Sequence, residues 1–405
     1  MKAKWQVPKI DIEEHVLENG LRVIFHWKNF LTITYRILSS YGYRNGDFPE
    51  AVHLLEHMLF KPEEKVFPVF QQIGGDINGY VSMDEFSIYW TIPKVFQDEA
   101  IAAVKNILTQ NKKLWTEHML EKEKFVIIRE IGENFSNPSS YLNIFLRKKI
   151  FGPDAPGTHS PEQIEKAFRS VKLDDIKQES ENISPEISVM SIVGDFSKEA
   201  VRKIEIWNGK KIEQKALKPD PDYGIHKEKR ETTEDFIGIA WLGPSRSTPD
   251  SEIMGLFGAM MTAFPTSRLY RKLRLEKGLV YYVSAGNVSF IDSGYFAMNT
   301  ATLPKKTQEV IEIIKNEIAN IIDEGITEEE LETIKNIFFG TLYNMTDTKT
   351  TLSGVLAYGA LFFGDPLRVY KETAERVLKL KIKDVQKVVA KYLDPEKMVV
   401  CIVGK

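Results

Sequence analysis

The sequence contains an internal repeat with a period of about 205 residues. Three pairs of segments match in the same order along the chain: residues 80–82 with 282–284, 173–176 with 382–385, and 189–194 (VMSIVG) with 399–404 (VVCIVG). The order of predicted elements also repeats: strands, a helix, a hairpin, further helices and a closing strand. The chain, at 405 residues, is long for one continuous core. We therefore predict an α+β fold with two homologous domains, each a mainly antiparallel sheet with helices packed on it.

A polar segment separates the two copies of the repeat. Residues 208–229 contain Lys210-Lys211, Pro219 and Pro221, followed by a charged run up to Arg230. Such a composition is typical of a connection between domains. We predict a first domain at residues 1–209, a linker at 210–229 and a second domain at 230–405.

Composition excludes several classes of protein. The net charge is -3 and the charged residues alternate in sign, which argues against a nucleic-acid partner. The single cysteine, Cys401, lies in an apolar run, so no internal disulfide can form and we expect a buried thiol. No stretch approaches 18 uncharged apolar residues, and the N-terminus does not look like a signal peptide. We expect no membrane partner and a cytoplasmic location.

The segment His53-Leu54-Leu55-Glu56-His57 lies in a predicted helix over residues 52–60. His53 and His57 are one turn apart on one face, so both imidazoles can reach one cation, and imidazole suits zinc. Glu56 lies on the same face and can accept a proton from water. This is the inverted His-x-x-Glu-His pattern of zinc hydrolases. The alternative is a helix with two incidental histidines.

A catalytic zinc needs three protein ligands and one open position. A helix predicted over residues 117–134 places Glu123 and Glu130 on one face, seven residues apart. We expect its apolar residues Phe125, Ile128 and Ile131 to pack on the motif helix. Spacing alone does not identify the third ligand, and four other histidines stay open as candidates: His15, His26, His118 and His159.

These motifs resemble the pitrilysin (insulinase) family of zinc metallopeptidases, especially its small bacterial members and the catalytic subunit of the mitochondrial processing peptidase. The resemblance is carried by residues 53–61 (HLLEHMLFK), 74–78 (GGDIN) and 123–130 (EKFVIIRE), and its weaker features span nearly the whole chain. It implies one Zn²⁺ per chain, held by His53, His57 and Glu130, with Glu123 as a supporting carboxylate. It also implies a metalloendopeptidase that hydrolyses unfolded peptides in an enclosed chamber. The strand that begins near Asn78 can pair with an extended substrate.

The second half contains a further feature of this family, an arginine followed seven residues later by a tyrosine. Here these are Arg274 and Tyr281, with Tyr282 as the alternative to Tyr281. The resemblance implies that Arg274 holds the peptide backbone and that Tyr281 donates a hydrogen bond to the reacting carbonyl or oxyanion. The second half has no metal motif. In two-halved members of the family this pair faces the metal from the opposite half, and the present chain has the length of one half yet contains both elements. The resemblance therefore implies a homodimer in which Arg274 and Tyr281 of one chain act on the metal site of the other.

The chain departs from the family pattern in two places. The family usually has glycine shortly before the first motif histidine, where this chain has Glu50-Ala51-Val52, and Asn78-Gly79 replaces the family's Asn-Ala. Neither departure removes a metal ligand. Two other functions stay open: a non-catalytic structural or peptide-binding homologue of the same fold, and a zinc hydrolase acting on a non-peptide bond.

Overall fold

The structure is a computed structural model that describes residues 5–61, 63–109, 111–202, 209–210 and 212–405, without the side chains of residues 63–66, 200 and 202. Contacts divide the chain into two compact units. The first contains Met1–Ile131, Ser160–Lys215 and Leu342–Lys371, and the second contains Gly132–His159, Ala216–Thr341 and Glu372–Lys405.

The strands and helices follow the order predicted from the repeat. In chain order the strands are β1 (Glu13–Val16), β2 (Arg22–Trp27), β3 (Thr32–Ser39), β4 (Asp76–Val81), β5 (Phe86–Pro93), β6 (Ser188–Gly194), β7 (Gly224–Lys229), β8 (Asp235–Leu242), β9 (Val283–Ser289), β10 (Gly294–Thr302) and β11 (Val399–Gly404). The helices are α1 (Ala51–Leu59), α2 (Glu63–Gln72), α3 (Gln97–Thr109), α4 (Glu117–Ser136), α5 (Pro138–Phe151), α6 (Pro161–Phe168), α7 (Leu173–Ser180), α8 (Lys198–Arg202), α9 (Asp250–Thr262), α10 (Arg268–Tyr270), α11 (Thr307–Glu324), α12 (Glu328–Asp347), α13 (Lys349–Phe363), α14 (Glu372–Lys379) and α15 (Ile382–Tyr392).

Each unit contains one mixed sheet, and the two sheets have the same strand order. The first sheet runs β1-β2-β6-β3-β5-β4 and the second runs β7-β11-β8-β10-β9. In both sheets the closing strand is parallel to one neighbour and antiparallel to the other. β6 is parallel to β2 and antiparallel to β3. β11 is parallel to β7 and antiparallel to β8. Leaving out β1, the sheets match strand for strand. The predicted α+β class is confirmed, and the repeated order of elements is present.

Local chemistry at the helix starts follows the repeat. α7 and α15 begin alike: Asp175 accepts a hydrogen bond from the Lys172 backbone at 2.8 Å, and Asp384 accepts one from the Lys381 backbone at 3.0 Å. A carboxylate in the third helical position satisfies a backbone donor that the helix leaves free. Equivalent short motifs therefore start equivalent helices in the two halves.

Each half of the sequence contributes one helix to the sheet of the other unit. α13 comes from the second half but packs on β3 and β6 of the first unit, where Leu352 and Leu356 are buried. α5 comes from the first half but packs on β8 and β11 of the second unit. There Leu146 lies so close to Gly238 that a Cβ atom on Gly238 would be 2.6 Å from Leu146 Cδ1.

The compact units therefore differ from a simple division at one linker. In each unit, the first segment comes from the first half of the chain and the last segment comes from the second half. The predicted linker at residues 210–229 is wrong at its end, because β7 (Gly224–Lys229) pairs in parallel with β11. The sequence of β7 is charged because it is an edge strand with much exposed surface. Its charged residues therefore suggested a linker and not a strand. The homologous domains at 1–209 and 230–405 stay a prediction, because contacts do not test ancestry.

Each unit has its own apolar core. In the first, Tyr35 stacks on Trp90 with ring centroids 5.0 Å apart, and both are fully buried. In the second, Trp241, Phe257 and Phe296 are fully buried. Cys401, in β11 of the same unit, has no exposed surface, and burial raises the pKa of its thiol to about 12. The expected buried thiol is confirmed. Within the described ranges, no helix combines the length and apolarity that crossing a membrane requires.

Candidate metal centre

The motif helix α1 divides its side chains between the core and an open face. Val52, Leu55 and Leu59 are buried at a helical spacing of three and four residues and anchor the helix. His53, Glu56 and His57 share the remaining face and are partly exposed, and ligating atoms of these three side chains all lie within 4.8 Å of one another. The burial of one face therefore holds the three polar groups together on the other.

Both histidines are oriented by carboxylates at the same ring nitrogen. His53 Nδ1 lies 3.1 Å from Glu50 Oε2, and His57 Nδ1 lies 2.9 Å from Glu123 Oε2. A carboxylate accepts a hydrogen bond, so each Nδ1 carries the proton and donates it. Each Nε2 then keeps a lone pair that is available to a metal ion.

Glu130 lies in front of both Nε2 atoms. Its Oε2 atom is 3.5 Å from His53 Nε2 and 3.8 Å from His57 Nε2. Two ligands that bind one tetrahedral zinc at about 2.1 Å are about 3.4 Å apart. The three side chains therefore fit a zinc ion as its ligands. Glu130 is 46% exposed, so the position between them opens to solvent.

α4 positions Glu123 and Glu130 differently although both lie on one face. Glu123 is on the buried stripe with Leu120 and Ile127, and its carboxylate is 4% exposed and also 3.3 Å from Lys61 Nζ. Glu130 is two turns further on, where the stripe ends. The expected packing of Phe125 is wrong, since that side chain is 62% exposed. Ile127 is buried instead, because it shares the face of Glu123.

Burial and neighbouring charges shift the pKa values of three groups. Burial raises the pKa of Glu56, although His57 and His53 act in the opposite direction. Burial lowers the pKa of His57, but its hydrogen bond to Glu123 and the nearby carboxylates outweigh this and raise the pKa overall. Burial likewise raises the pKa of Glu123, but hydrogen bonds from His57 and Lys61 lower it overall. Glu123 therefore stays ionised and keeps His57 in a fixed orientation.

The edge strand β4 passes beside the motif helix. A Cβ atom on Gly79 would be 3.0 Å from Glu56 Oε1, so the strand backbone comes close to this carboxylate. Asn78 is exposed, and its side chain accepts a hydrogen bond from the Gly79 backbone at 2.8 Å. Both Asn78 and Glu56 line a cavity of about 400 Å³ whose apolar lining includes Phe60, Phe67, Ile77 and Val126.

Arg274 and Tyr281 lie together in the second unit. The Arg274 guanidinium carbon is 4.4 Å from the centroid of the Tyr281 ring, and Arg274 belongs to a π-helical stretch, Arg271–Glu276. Tyr281 is 75% exposed, whereas burial raises the pKa of Tyr282. The exposed Tyr281 is therefore the better of the two for contact with a bound molecule. The first unit thus contains six predicted site residues, and the second contains these two. The six are His53, Glu56, His57, Asn78, Glu123 and Glu130.

The other described histidines are not part of the candidate metal centre. His15 pairs with Glu13 at 2.6 Å, and His26 Nδ1 lies 2.7 Å from the Asp11 backbone oxygen. Among described residues, the group of three or more metal-binding side chains is the one at residues 53, 56 and 57, and His118 and His159 are not part of it. Sequence reasoning assigned no role to Glu50, which contacts His53 in this site. Its signal was the departure from the family pattern at Glu50-Ala51-Val52.

The fold and the cluster together define a class: a two-unit α+β protein with a candidate zinc centre of the inverted His-x-x-Glu-His type. Residues 170–338 match the family described as "Peptidase M16 inactive domain". This match does not include the candidate metal centre, whose residues are His53, Glu56, His57, Glu123 and Glu130. M16 is the pitrilysin family, and the predicted resemblance to it is confirmed.

Relatives extend the likeness over most of the chain. The sequence is 25% identical to "Uncharacterized zinc protease YmxG" of Bacillus subtilis, over 85% of this chain and 87% of that protein. It is 20% identical to "Non-peptidase homolog YmxG" of Helicobacter pylori, over 83% of this chain and 79% of that protein. The fold matches a crystal structure of a peptidase M16 inactive domain from Pseudomonas fluorescens with a TM-score of 0.88 at 18% identity, covering 98% of both chains.

Proposed function

We propose that this chain is a zinc-dependent endopeptidase that hydrolyses unfolded peptides. The observation that carries the proposal is the placement of His53 Nε2 and His57 Nε2 at 3.5 and 3.8 Å from Glu130 Oε2. The Nδ1 atoms of both rings are already bound to carboxylates. The names of several relatives, which include the words zinc protease, support the same function.

His53, His57 and Glu130 would hold one Zn²⁺. When bound, zinc supplies a Lewis acid that polarises a peptide carbonyl and makes water more acidic. Glu56 accepts the proton of the attacking water and passes it to the leaving nitrogen. Glu56 can do both because it shares the open face of α1 with the two histidines, and ligating atoms of the three side chains lie within 4.8 Å of one another.

The substrate lies along β4 in this proposal. β4 is the last strand of its sheet, so its outer edge offers backbone donors and acceptors to an extended peptide. Asn78 is on this strand, and the adjoining cavity has an apolar lining that suits an apolar side chain. Recognition through the main chain favours unfolded segments, as does the enclosing chamber that the family resemblance implies.

The experiment combines metal analysis with a peptide assay. The purified chain should contain about one zinc per chain and cleave a mixed pool of quenched fluorescent peptides. A chelator should abolish cleavage, and added zinc should restore it. A chain that binds no zinc would refute the metal centre.

A non-catalytic peptide-binding homologue is the second candidate. It is favoured by one observation, the name "Non-peptidase homolog" carried by a relative with 20% identity. The same experiment separates the two candidates. Stoichiometric zinc without any turnover of the peptide pool would support this second function.

We also propose a homodimer in which Arg274 and Tyr281 of one chain contact the substrate at the metal centre of its partner. The exposure of Tyr281 and its stacking with Arg274 support a role in binding. A Glu56→Gln chain mixed with an Arg274→Ala chain should regain activity, because mixed dimers would contain one intact combination. Mixed dimers that form but stay inactive would refute the arrangement.

A further inference from the structure

Glu50 has a backbone conformation that is unusual for its residue type. It immediately precedes α1 with φ 61° and ψ 16°, which is the left-handed region. Among the described residues, it is the one non-glycine residue with positive φ. An L-amino acid with a Cβ atom adopts this region at a cost in stability, so the surrounding structure must hold it there.

The Glu50 side chain is buried against the first motif histidine. Its carboxylate is 6% exposed and its Oε2 atom is 3.1 Å from His53 Nδ1. The ring of Tyr43 also lies near His53, edge to face, with centroids 6.0 Å apart. Glu50 and Tyr43 thus both restrict the orientation of the His53 ring.

Helix capping does not account for this carboxylate. A residue before a helix often accepts hydrogen bonds from the first backbone N–H groups through its side chain. The Glu50 side chain makes no such bond, although its backbone oxygen accepts one from Leu54 at 2.9 Å. The strained backbone therefore directs the carboxylate to His53 and not to the helix end.

The arrangement matches that of the second histidine. Glu123 is 4% exposed and 2.9 Å from His57 Nδ1, and it comes from a different helix, α4. Glu50 and Glu123 thus supply two buried carboxylates, one for each imidazole, at the same ring atom. A carboxylate at this place fixes the tautomer and raises the basicity of the ligating nitrogen.

We infer that Glu50 is a positioning residue of the metal centre, which holds His53 with the proton on Nδ1 and Nε2 directed at the metal. The inference rests on the proposed zinc function. It explains why a glutamate occupies a left-handed position that would suit glycine better. Stability and metal binding should therefore respond in opposite directions when Glu50 is replaced by glycine.

The test uses two replacements in the full chain. Glu50→Gly removes the carboxylate and relieves the backbone, whereas Glu50→Gln keeps the Cβ atom and one acceptor oxygen but no charge. Zinc affinity, measured by competition with a chelator, should fall about 10–100-fold in Glu50→Gly and by less in Glu50→Gln. Thermal unfolding of the metal-free Glu50→Gly protein should occur at a temperature about 2 °C higher than for the unaltered chain.

A third measurement reports on the ring itself. With ¹⁵N-labelled histidine at a pH where the rings are neutral, NMR should find the His53 proton on Nδ1 in the unaltered metal-free protein. In Glu50→Gly the His53 ring should become a mixture of tautomers, while His57, held by Glu123, keeps its proton on Nδ1. A loss of global stability alone would not produce this selective change.

Glu99→Gln is the matched control, because Glu99 is an exposed glutamate in the first turn of α3. It should change neither zinc affinity nor the His53 tautomer. If both Glu50 variants bind zinc within twofold of the unaltered chain, the positioning role is refuted while the zinc function stands. If the unaltered chain itself binds no zinc, the proposed function is refuted first.

Discussion

The two units share a sheet order but use the gap between one helix and the edge strand differently. In the first unit, a Cβ atom on Gly79 of β4 would be 3.0 Å from the Glu56 carboxylate of α1. In the second, a Cβ atom on Gly258 of α9 would be 2.7 Å from the backbone oxygen of Ala285 in β9. The Glu56 carboxylate and the Phe60 ring lie in the first gap, and backbone contact closes the second.

A second difference lies in the helix before the closing strand. The matching starts of α7 and α15 place Glu179 and Val388 at equivalent positions. Both are buried, but Glu179 is a carboxyl group that accepts a hydrogen bond from Tyr41. The comparison teaches that one topology tolerates both an apolar filling and a set of buried polar groups, provided that the polar groups find partners.

The largest effect is expected from Glu56→Gln in the first unit. The amide cannot accept the proton of the attacking water, so kcat should fall about 10³-fold. Zinc content, measured on the same samples, should not change, since the three ligands remain. Glu252→Gln in α9 of the second unit is the control and should hydrolyse peptides normally. Substantial turnover by Glu56→Gln would show that Glu56 does not accept this proton, so that the first unit would not differ from the second by a catalytic carboxylate.

The next effect concerns stability and its pH dependence. Burial raises the pKa of Glu179 from its ordinary value of 4.5 to about 7. The folded protein thus holds a proton that the unfolded chain has released, and stability falls as pH rises from about 4.5 to 7. This shift corresponds to about 3 kcal/mol.

Glu179→Gln should remove that part of the pH dependence. The amide keeps an acceptor for Tyr41 but cannot ionise, as Val388 cannot in the second unit. Denaturant unfolding at pH 5 and pH 8 would measure the difference. From pH 5 to pH 8, the free energy of unfolding of the variant should rise relative to that of the unaltered chain by about 3 kcal/mol. A constant difference between the two proteins would show that Glu179 does not titrate in this range.

Gly258→Ala should destabilise the protein by about 1–2 kcal/mol, because the new methyl group meets the backbone of β9. Gly255→Ala lies in the same helix, where a Cβ atom would meet nothing within 4 Å. It should instead stabilise the helix by up to about 1 kcal/mol. Thermal unfolding of both variants would test the close packing. Equal effects of the two alanines would contradict it.

The smallest effect is expected from Gly79→Ala. The added methyl group would be 3.0 Å from the tips of Glu56 and Phe60, which can move by a few tenths of an ångström. A displaced Glu56 should lower kcat by about threefold, equivalent to less than 1 kcal/mol, with zinc affinity unchanged. Gly286→Ala in β9 is the control, since its Cβ atom would meet nothing within 4 Å. An unchanged kcat would mean that β4 does not restrict Glu56.

The sequence predicted the positions of several helices and the residues of the candidate metal centre. It did not predict which sheet each helix covers. The helices predicted near residues 95–109, 117–134 and 139–150 correspond to α3, α4 and α5. Helical spacing predicted that His53 and His57 share one face, whereas Glu130 was assigned through the family resemblance, because spacing left other residues open as the third ligand. The structure places the Glu130 carboxylate near both imidazoles. Spacing could not show that α5 covers β8 and β11, because an apolar helix face carries no mark of the sheet that it will cover.

Two further features were beyond the reach of periodicity. The sign of φ at Glu50 is a property of the folded chain, and a glutamate before a helix normally suggests a surface residue. The exposure of Phe125 contradicts its residue type, because the buried stripe of α4 is set by Glu123 and its partners. Polar groups with fixed partners can override apolar preference, and a single sequence does not identify such partners in advance.

The exchanged helices also set an order of events during synthesis. The first unit buries β3 and β6 under α13, which ends at residue 363. A ribosome therefore has to deliver most of the polypeptide before the amino-terminal sheet can be covered on that side. Until then its apolar surface stays open to chaperones or to other nascent chains. If the gene were divided between the halves, the first product would contain α5 without β8 and β11, and the second would contain α13 without β3 and β6. Each product would then have an uncovered apolar sheet surface.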